Sequence, residues 1–310
     1  MPDLDLTFTT DSLRLEGSLR LAGDAPSPAA LIISGSGPLD RNSDAKRMPV
    51  GVAAALADHL ASSGVSSLRY DKRGIGASEG EYLATGFHDN VADARAALAA
   101  LRARPEVDAQ HVVVIGHSEG ALIAAELASD ADLLGVVLLA GSAQTGRRLL
   151  EWQAAQLAPS LPRPVRALMR LLRQDLVRTQ SKRLDRLAGS EDDVLRLQGV
   201  KVNARWFREF MAHDPATSLR AAAVPVLAIT GGKDVQVDPA DVGRMGELVS
   251  EPFDGHVVEG VSHLLRHDPT DKGVRAYKAQ MRQPVDAGLL GLVSTWVGER
   301  LGSPQRTQDT

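Results

Sequence analysis

The 310-residue chain contains no cysteine. That removes a disulfide framework, a thiol nucleophile and any cysteine-ligated metal, though it does not by itself fix the compartment. Aromatic residues are scarce at 4%, so the interior has to be built from alanine, valine and leucine, a composition suited to strands covered by helices on both faces. No uninterrupted apolar run approaches the roughly 18 to 20 residues that cross a bilayer. The acidic start Met1-Pro2-Asp3-Leu4-Asp5 is followed by alternating residues, so neither stable membrane insertion nor a signal peptide is expected. A formal net charge of −4 is small for this length, and nucleic-acid binding usually shows as a basic domain. A chain that is 44% hydrophobic can bury a substantial core as one large α/β domain or two smaller ones. The default expectation is a soluble cytoplasmic protein, with a homodimer left open.

Period-two alternation over Leu4 to Phe8 and Leu13 to Leu21 predicts two antiparallel strands at a sheet edge. Short apolar runs then alternate with helical patterns. Strands are expected at Ala29 to Ile33, Val65 to Tyr70, His111 to Ile115, Leu133 to Ala140, Val224 to Ile229 and His256 to Val258. Helices are expected at Val52 to Leu60, Val91 to Leu101, Ala121 to Ala128, Val242 to Val249 and around Leu289 to Val297. Such alternation implies a mostly parallel sheet flanked by helices. From Thr145 to His213 the strand signal disappears. Within that stretch Val165, Leu168, Met169, Leu172 and Leu176 fall at helical spacing after Pro164, with Arg166, Arg170 and Arg173 on the opposite face. The expected organisation is a core of residues 1–144 and 215–302, an inserted helical cap at 145–214, and a loose tail at 303–310.

Gly116-His117-Ser118-Glu119-Gly120 lies between a strand and a helix. In that setting Gly-x-Ser-x-Gly reads as a nucleophile elbow, a turn tight enough to thrust a serine hydroxyl out of the sheet. A serine hydroxyl is a poor nucleophile at neutral pH and needs a base, and the base needs a group to hold its tautomer. Asp234, just past the strand ending at Ile229, and His263, just past the strand ending at Val258, are the candidates. Both stand in loops at the carboxyl ends of strands, where α/β sheets place their sites. Asp238 and Asp241 are nearby rivals that also suit the start of the following helix.

The order Ser118, Asp234, His263 resembles the α/β-hydrolase superfamily. More narrowly, three segments resemble bacterial carboxylesterases similar to serine aminopeptidase-like hydrolases. They are Ser34-Gly35-Ser36-Gly37-Pro38 with Asp40-Arg41, Tyr70-Asp71-Lys72-Arg73-Gly74-Ile75-Gly76-Ala77-Ser78, and the elbow itself. The resemblance implies an α/β-hydrolase fold in which Ser118 is the nucleophile, His263 the base and then the acid, and Asp234 the orienting carboxylate. It also implies an oxyanion hole from the backbone N–H of Glu119 and a second N–H, assigned to Ser36 with Gly37 left open, because Ser34 stands where relatives carry histidine.

Several neighbours have plainer expectations. His117 should pack or hydrogen-bond within its loop, and the Glu119 carboxylate is either idle or a contact for a substrate amine. Asp71 with Arg73, and Asp40 with Arg41, should be loop-bracing pairs; Asp214 before Pro215 should be a turn. No metal is expected. His263 and His267 have a His-x3-His spacing with His256 near, but lack a His-Glu-x-x-His partner motif. No dinucleotide or other cofactor is expected either, since Asp40 and Glu79 stand where the glycine clusters would need a third glycine. The stretch 145–214 carries 14 Arg and Lys against 8 Asp and Glu. That is either a solvated face pairing with the acidic body or an attraction for an anionic ester or thioester. The expected activity is hydrolysis of small or medium acyl esters. Thioesterase, peptidase or amidase, acyltransferase and a non-catalytic ligand-binding protein are the alternatives.

Overall fold

In a computed structural model the protein is described at residues 3–23, 26–157, 164 and 175–302. Most of the arginine-bearing helix expected after Pro164, and the tail at 303–310, lie outside the described residues; Leu176 opens the described helix Leu176–Ala188.

The expected edge hairpin is formed by β1 (Asp3–Thr10) and β2 (Leu13–Arg20). It leads into β3 (Ser27–Ile33), a two-residue ribbon of β4 (Asp44–Ala45) and β5 (Met48–Pro49), α1 (Val52–Ser62) and β6 (Ser66–Tyr70). After α2 (Phe87–Arg102) come β7 (Val107–His117), α3 (Glu119–Leu127), β8 (Gly135–Leu139) and α4 (Gly146–Leu157). A second small ribbon pairs β9 (Val194–Leu197) with β10 (Val200–Asn203). The helix Ala204–Ala212 follows, then β11 (Val226–Gly231), the helix Asp241–Leu248, β12 (Phe253–Val258) and the closing helix Ala287–Leu301.

Eight strands form one sheet in the order β1-β2-β6-β3-β7-β8-β11-β12. The pairs from β6 to β12 are parallel and only the hairpin edge is antiparallel. Alternation along the central strands divides the core by face. Leu31, Val114, Leu138 and Ala228 point to the side covered by α2 and α3. Ile32, Ile115, Leu139 and Ile229 point to the side covered by α1 and the closing helix. With both faces buried, these strands read as continuous apolar runs, which is why the sequence located them. A third cluster, Leu184, Leu187, Leu197, Val202, Ala204 and Met211, is drawn entirely from the inserted stretch.

The ribbon β9–β10 corrects the expectation that no strand lies between Thr145 and His213. Val194-Leu195-Arg196-Leu197 and Val200-Lys201-Val202-Asn203 are joined by Gln198 at φ 51° and Gly199 at φ 83°. Two successive positive φ values define the tight turn whose twist matches a hairpin.

Candidate active site

Ser118 occupies the turn between β7 and α3 at φ 57° and ψ −117°. This is a strained backbone for a non-glycine residue, held by its surroundings. Its N–H donates to the Leu139 carbonyl of β8 at 2.9 Å. The flanking glycines are required by proximity: a Cβ on Gly116 would overlap the Gly120 carbonyl, and one on Gly120 would overlap the carbonyl oxygen of Ile33 in β3. The pentapeptide thus packs its own turn and lets α3 approach the neighbouring strand.

His263 lies beyond β12, in a loop closed by the Ser262 N–H on Arg266 O at 2.9 Å and the Leu265 N–H on Ser262 O at 2.9 Å. Its Nε2 is 3.1 Å from Ser118 Oγ and its Nδ1 is 2.7 Å from Asp234 Oδ2. An ionised carboxylate only accepts, so Nδ1 carries the proton and Nε2 is free to accept from the hydroxyl. The other carboxylate oxygen, Asp234 Oδ1, accepts the N–H groups of Gln236 at 2.7 Å and Val237 at 2.9 Å. The carboxylate is thereby fixed in the loop after β11. Asp241 is engaged elsewhere, accepting from Ser142 Oγ at 2.7 Å, the Ala143 N–H at 3.1 Å and Arg244. Asp238 accepts from Arg244 as well. Asp214 caps the short helix Pro215–Arg220 through the Ala216 N–H.

His117 is buried, and its Nε2–H donates to the His263 carbonyl at 2.9 Å, with the two ring centroids 5.1 Å apart. Burial first, and the neighbouring His263 second, lower its pKa to about 3, so it stays neutral. It braces the loop that carries His263 and makes no described contact with Ser118.

Ser36, Ser118 and Glu119 line one cleft. Glu119 is the first residue of α3, where a helix N–H has no acceptor within the helix. Ser34 is buried and pairs its Oγ with Ser43 Oγ at 2.8 Å, pinning the loop after β3. The rest of the cleft wall combines apolar groups, Leu122 from α3, Leu149 and Leu150 from α4, and Trp206 and Phe210 with rings stacked at 4.5 Å, with the polar side chains of Ser142, Gln153 and Gln236. The cavity is small, about 60 Å³.

The Glu119 side chain corrects the expectation of an idle or amine-binding group. It accepts from Lys72 Nζ at 2.8 Å, Asn90 Nδ2 at 3.2 Å and Trp206 Nε1 at 2.5 Å. Lys72, Asn90 and Trp206 had no role assigned from sequence. The signals were a lysine just past the carboxyl end of a central strand and one of only three tryptophans. The loop pairs also exchange partners. Arg41 bonds Asp71 through both its N–H and its Nη2, at 2.7 Å each. Arg73 takes Asp93 and Asp11, and Asp40 closes its own turn on the N–H groups of Asn42 and Asp44. Burial pushes the Asp71 pKa up, but the Arg41 side chain and the N–H groups of Ala77 and Arg41 outweigh it and hold it below the usual value.

Among solved structures, Est1E from Butyrivibrio proteoclasticus superposes with a TM-score of 0.64 at 14% identity, covering 96% of this chain and 99% of that one. A proline iminopeptidase from Mycobacterium smegmatis gives 0.62 at 16%, covering 96% and 98%. With the sheet order and the elbow, these likenesses define an α/β-hydrolase fold. Residues 49–270 match the family described as serine aminopeptidase, S33, and the chain belongs to that family. Esterase EstD of Thermotoga maritima is 28% identical over 224 residues, 71% of this chain. That match covers 49% of EstD, so the chain spans about half the length of this relative.

Proposed function

We propose that the protein is a cofactor-independent serine hydrolase cleaving small acyl esters, with Ser118, His263 and Asp234 as its triad. The observation that carries this reading is the hydrogen-bonded line from Ser118 Oγ through His263 to Asp234, at 3.1 and 2.7 Å. In this reading Ser118 Oγ attacks the acyl carbon while His263 Nε2 takes its proton. The carbonyl oxygen becomes an oxyanion held by the N–H groups of Glu119 and Ser36, and His263 returns the proton to the departing alcohol. Water then attacks the acyl-enzyme by the same route in reverse, releasing the acid and restoring the serine. Asp234 orients the ring.

The family description includes aminopeptidases, which must recognise a substrate ammonium. Among the described cleft-lining residues the acidic one is Glu119, and its carboxylate is turned behind the wall, its oxygens taken by Lys72, Asn90 and Trp206. The sequence between residues 158 and 174 contains no Asp or Glu. A neutral acyl group facing Leu149, Leu150, Trp206 and Phe210 fits that wall better than a charged amine, and the relative EstD is an esterase. We assign residues 145–214 as the cap, which supplies Leu149, Leu150, Gln153, Trp206 and Phe210 to that wall. The cavity has room for about four or five water-sized volumes, which favours short acyl chains such as acetyl.

The test is labelling with a fluorophosphonate and turnover of p-nitrophenyl acetate, butyrate and octanoate beside an aminoacyl amide. Wild-type protein should label at Ser118 and prefer acetate. Ser118→Ala should abolish labelling and lower kcat about 10⁴- to 10⁶-fold. Aminoacyl amide turnover exceeding that of every ester would overturn the ester reading.

A further inference from the structure

Behind the cleft lies a buried ion pair that the proton-transfer chain does not use. Lys72 and Glu119 have side chains only 6% and 1% exposed. Net of desolvation, such a pair contributes little more than well-packed apolar residues would, so fold stability alone does not account for it. Its connections are specific. Lys72 Nζ donates both to Glu119 Oε2 at 2.8 Å and to the carbonyl of Gly35 at 2.7 Å.

The Gly35 carbonyl and the Ser36 N–H belong to one planar trans peptide unit, so they point in opposite directions and rotate together. An ammonium anchored on the carbonyl therefore fixes where the Ser36 N–H points. Without that anchor the plane turns over more easily, since the residue before it is Gly35, whose ψ is unrestrained by a side chain. A cation on the carbonyl also polarises the amide and strengthens its N–H as a donor. The same ammonium holds the side chain of Glu119, whose own N–H is the second donor, at the start of α3.

We infer that Lys72 is a positioning residue that locks the two halves of the oxyanion hole together, through the Gly35–Ser36 peptide on one side and the Glu119 carboxylate on the other. This rests on the hydrolase reading above. The ion pair sets the spacing of two N–H groups carried by different elements and touches no reacting atom. It also favours Ser36 over Gly37 as the donor, because the anchored peptide is the one that carries the Ser36 N–H.

The experiment compares wild type, Lys72→Met and the charge-balanced Lys72→Met/Glu119→Gln, the last avoiding a buried unpaired carboxylate. Three quantities are read on each: steady-state hydrolysis of p-nitrophenyl acetate, inhibition by a trifluoromethyl ketone whose hemiketal oxyanion mimics the transition state, and binding of a non-hydrolysable ether of similar shape. Thermal melting identifies the folded variants. The folded double variant should lose about 10- to 100-fold in kcat, less than deletion of a donor outright, with KM within about twofold. Ketone affinity should fall by the same factor as kcat, while ether affinity is unchanged. Wild-type kcat and ketone affinity in the folded double variant would overturn the inference, as would equal losses for ketone and ether, which signal a merely deformed cleft. A wild-type protein that neither labels at Ser118 nor hydrolyses ester overturns the hydrolase reading and this one with it.

Discussion

His117 and His263 are neighbours with opposite demands. In the proposed mechanism one exchanges a proton with Ser118, whereas the other stays singly protonated. Because burial and His263 hold the pKa of His117 at about 3, against 6.5 for a free imidazole, the unfolded chain binds a proton between those values that the folded chain refuses. The stability linked to this residue is complete above pH 6.5 and is lost as pH falls towards 3, by about 1.4 kcal/mol per pH unit. Urea midpoints at pH 7 and pH 5 should therefore fall more steeply in wild type than in His117→Asn, which lacks the titration. Parallel slopes in the two proteins would refute this account. That Ser118, Asp234 and His263 meet was legible in the sequence because each lies at the carboxyl end of its own apolar run. The partners of Asp71, Arg73 and Glu119 were not, because Arg41, Asp93 and Lys72 reach them only across the fold.

At the scale of elements, two turns show different uses of glycine. In the elbow Gly120 makes room: a side chain there meets the main chain of Ile33 and Ser34. In the ribbon β9–β10 Gly199 has open space around it and is needed for its positive φ. Gly199→Ala should accordingly cost about 1 kcal/mol in backbone strain and leave ester turnover unchanged. Gly120→Ala should cost about 1 to 3 kcal/mol by overpacking. It should also lower kcat about 10- to 100-fold, because α3 and the loop after β3 are pushed apart at the cleft. Melting temperatures and kcat for the two variants separate these effects, and equal activity losses would contradict the distinction. The elbow was readable because its strand, turn and helix are consecutive. The ribbon was missed because its four-residue strands carry too little apolar alternation to stand out beside helices, leaving the Gln198-Gly199 pair as the only cue.

At the scale of the whole molecule, the parallel sheet was foreseeable from its alternating runs. How the basic stretch uses its charge was not. Among described residues Arg147 pairs with Glu151 and Asp185, while Arg205 crosses to Asp89 in the core as well as to Glu209. These cations tie the inserted stretch together and to the core. The sheet also distributes the three residues of the proposed triad unevenly. Ser118 projects from a central strand and Asp234 follows the buried β11, while His263 follows β12, the outermost and mostly exposed strand. Edge elements with few buried contacts open at lower free energy than the core they border, but Val261 and Leu265 seat the loop of His263 in that core. In a urea titration, loss of the proposed hydrolysis should therefore coincide with loss of far-UV circular dichroism; activity fading at a clearly lower concentration would contradict this. The exposed margin can then loosen without cost to the chemistry, since the imidazole is fastened to the interior and stays beside the strained serine until that interior itself gives way.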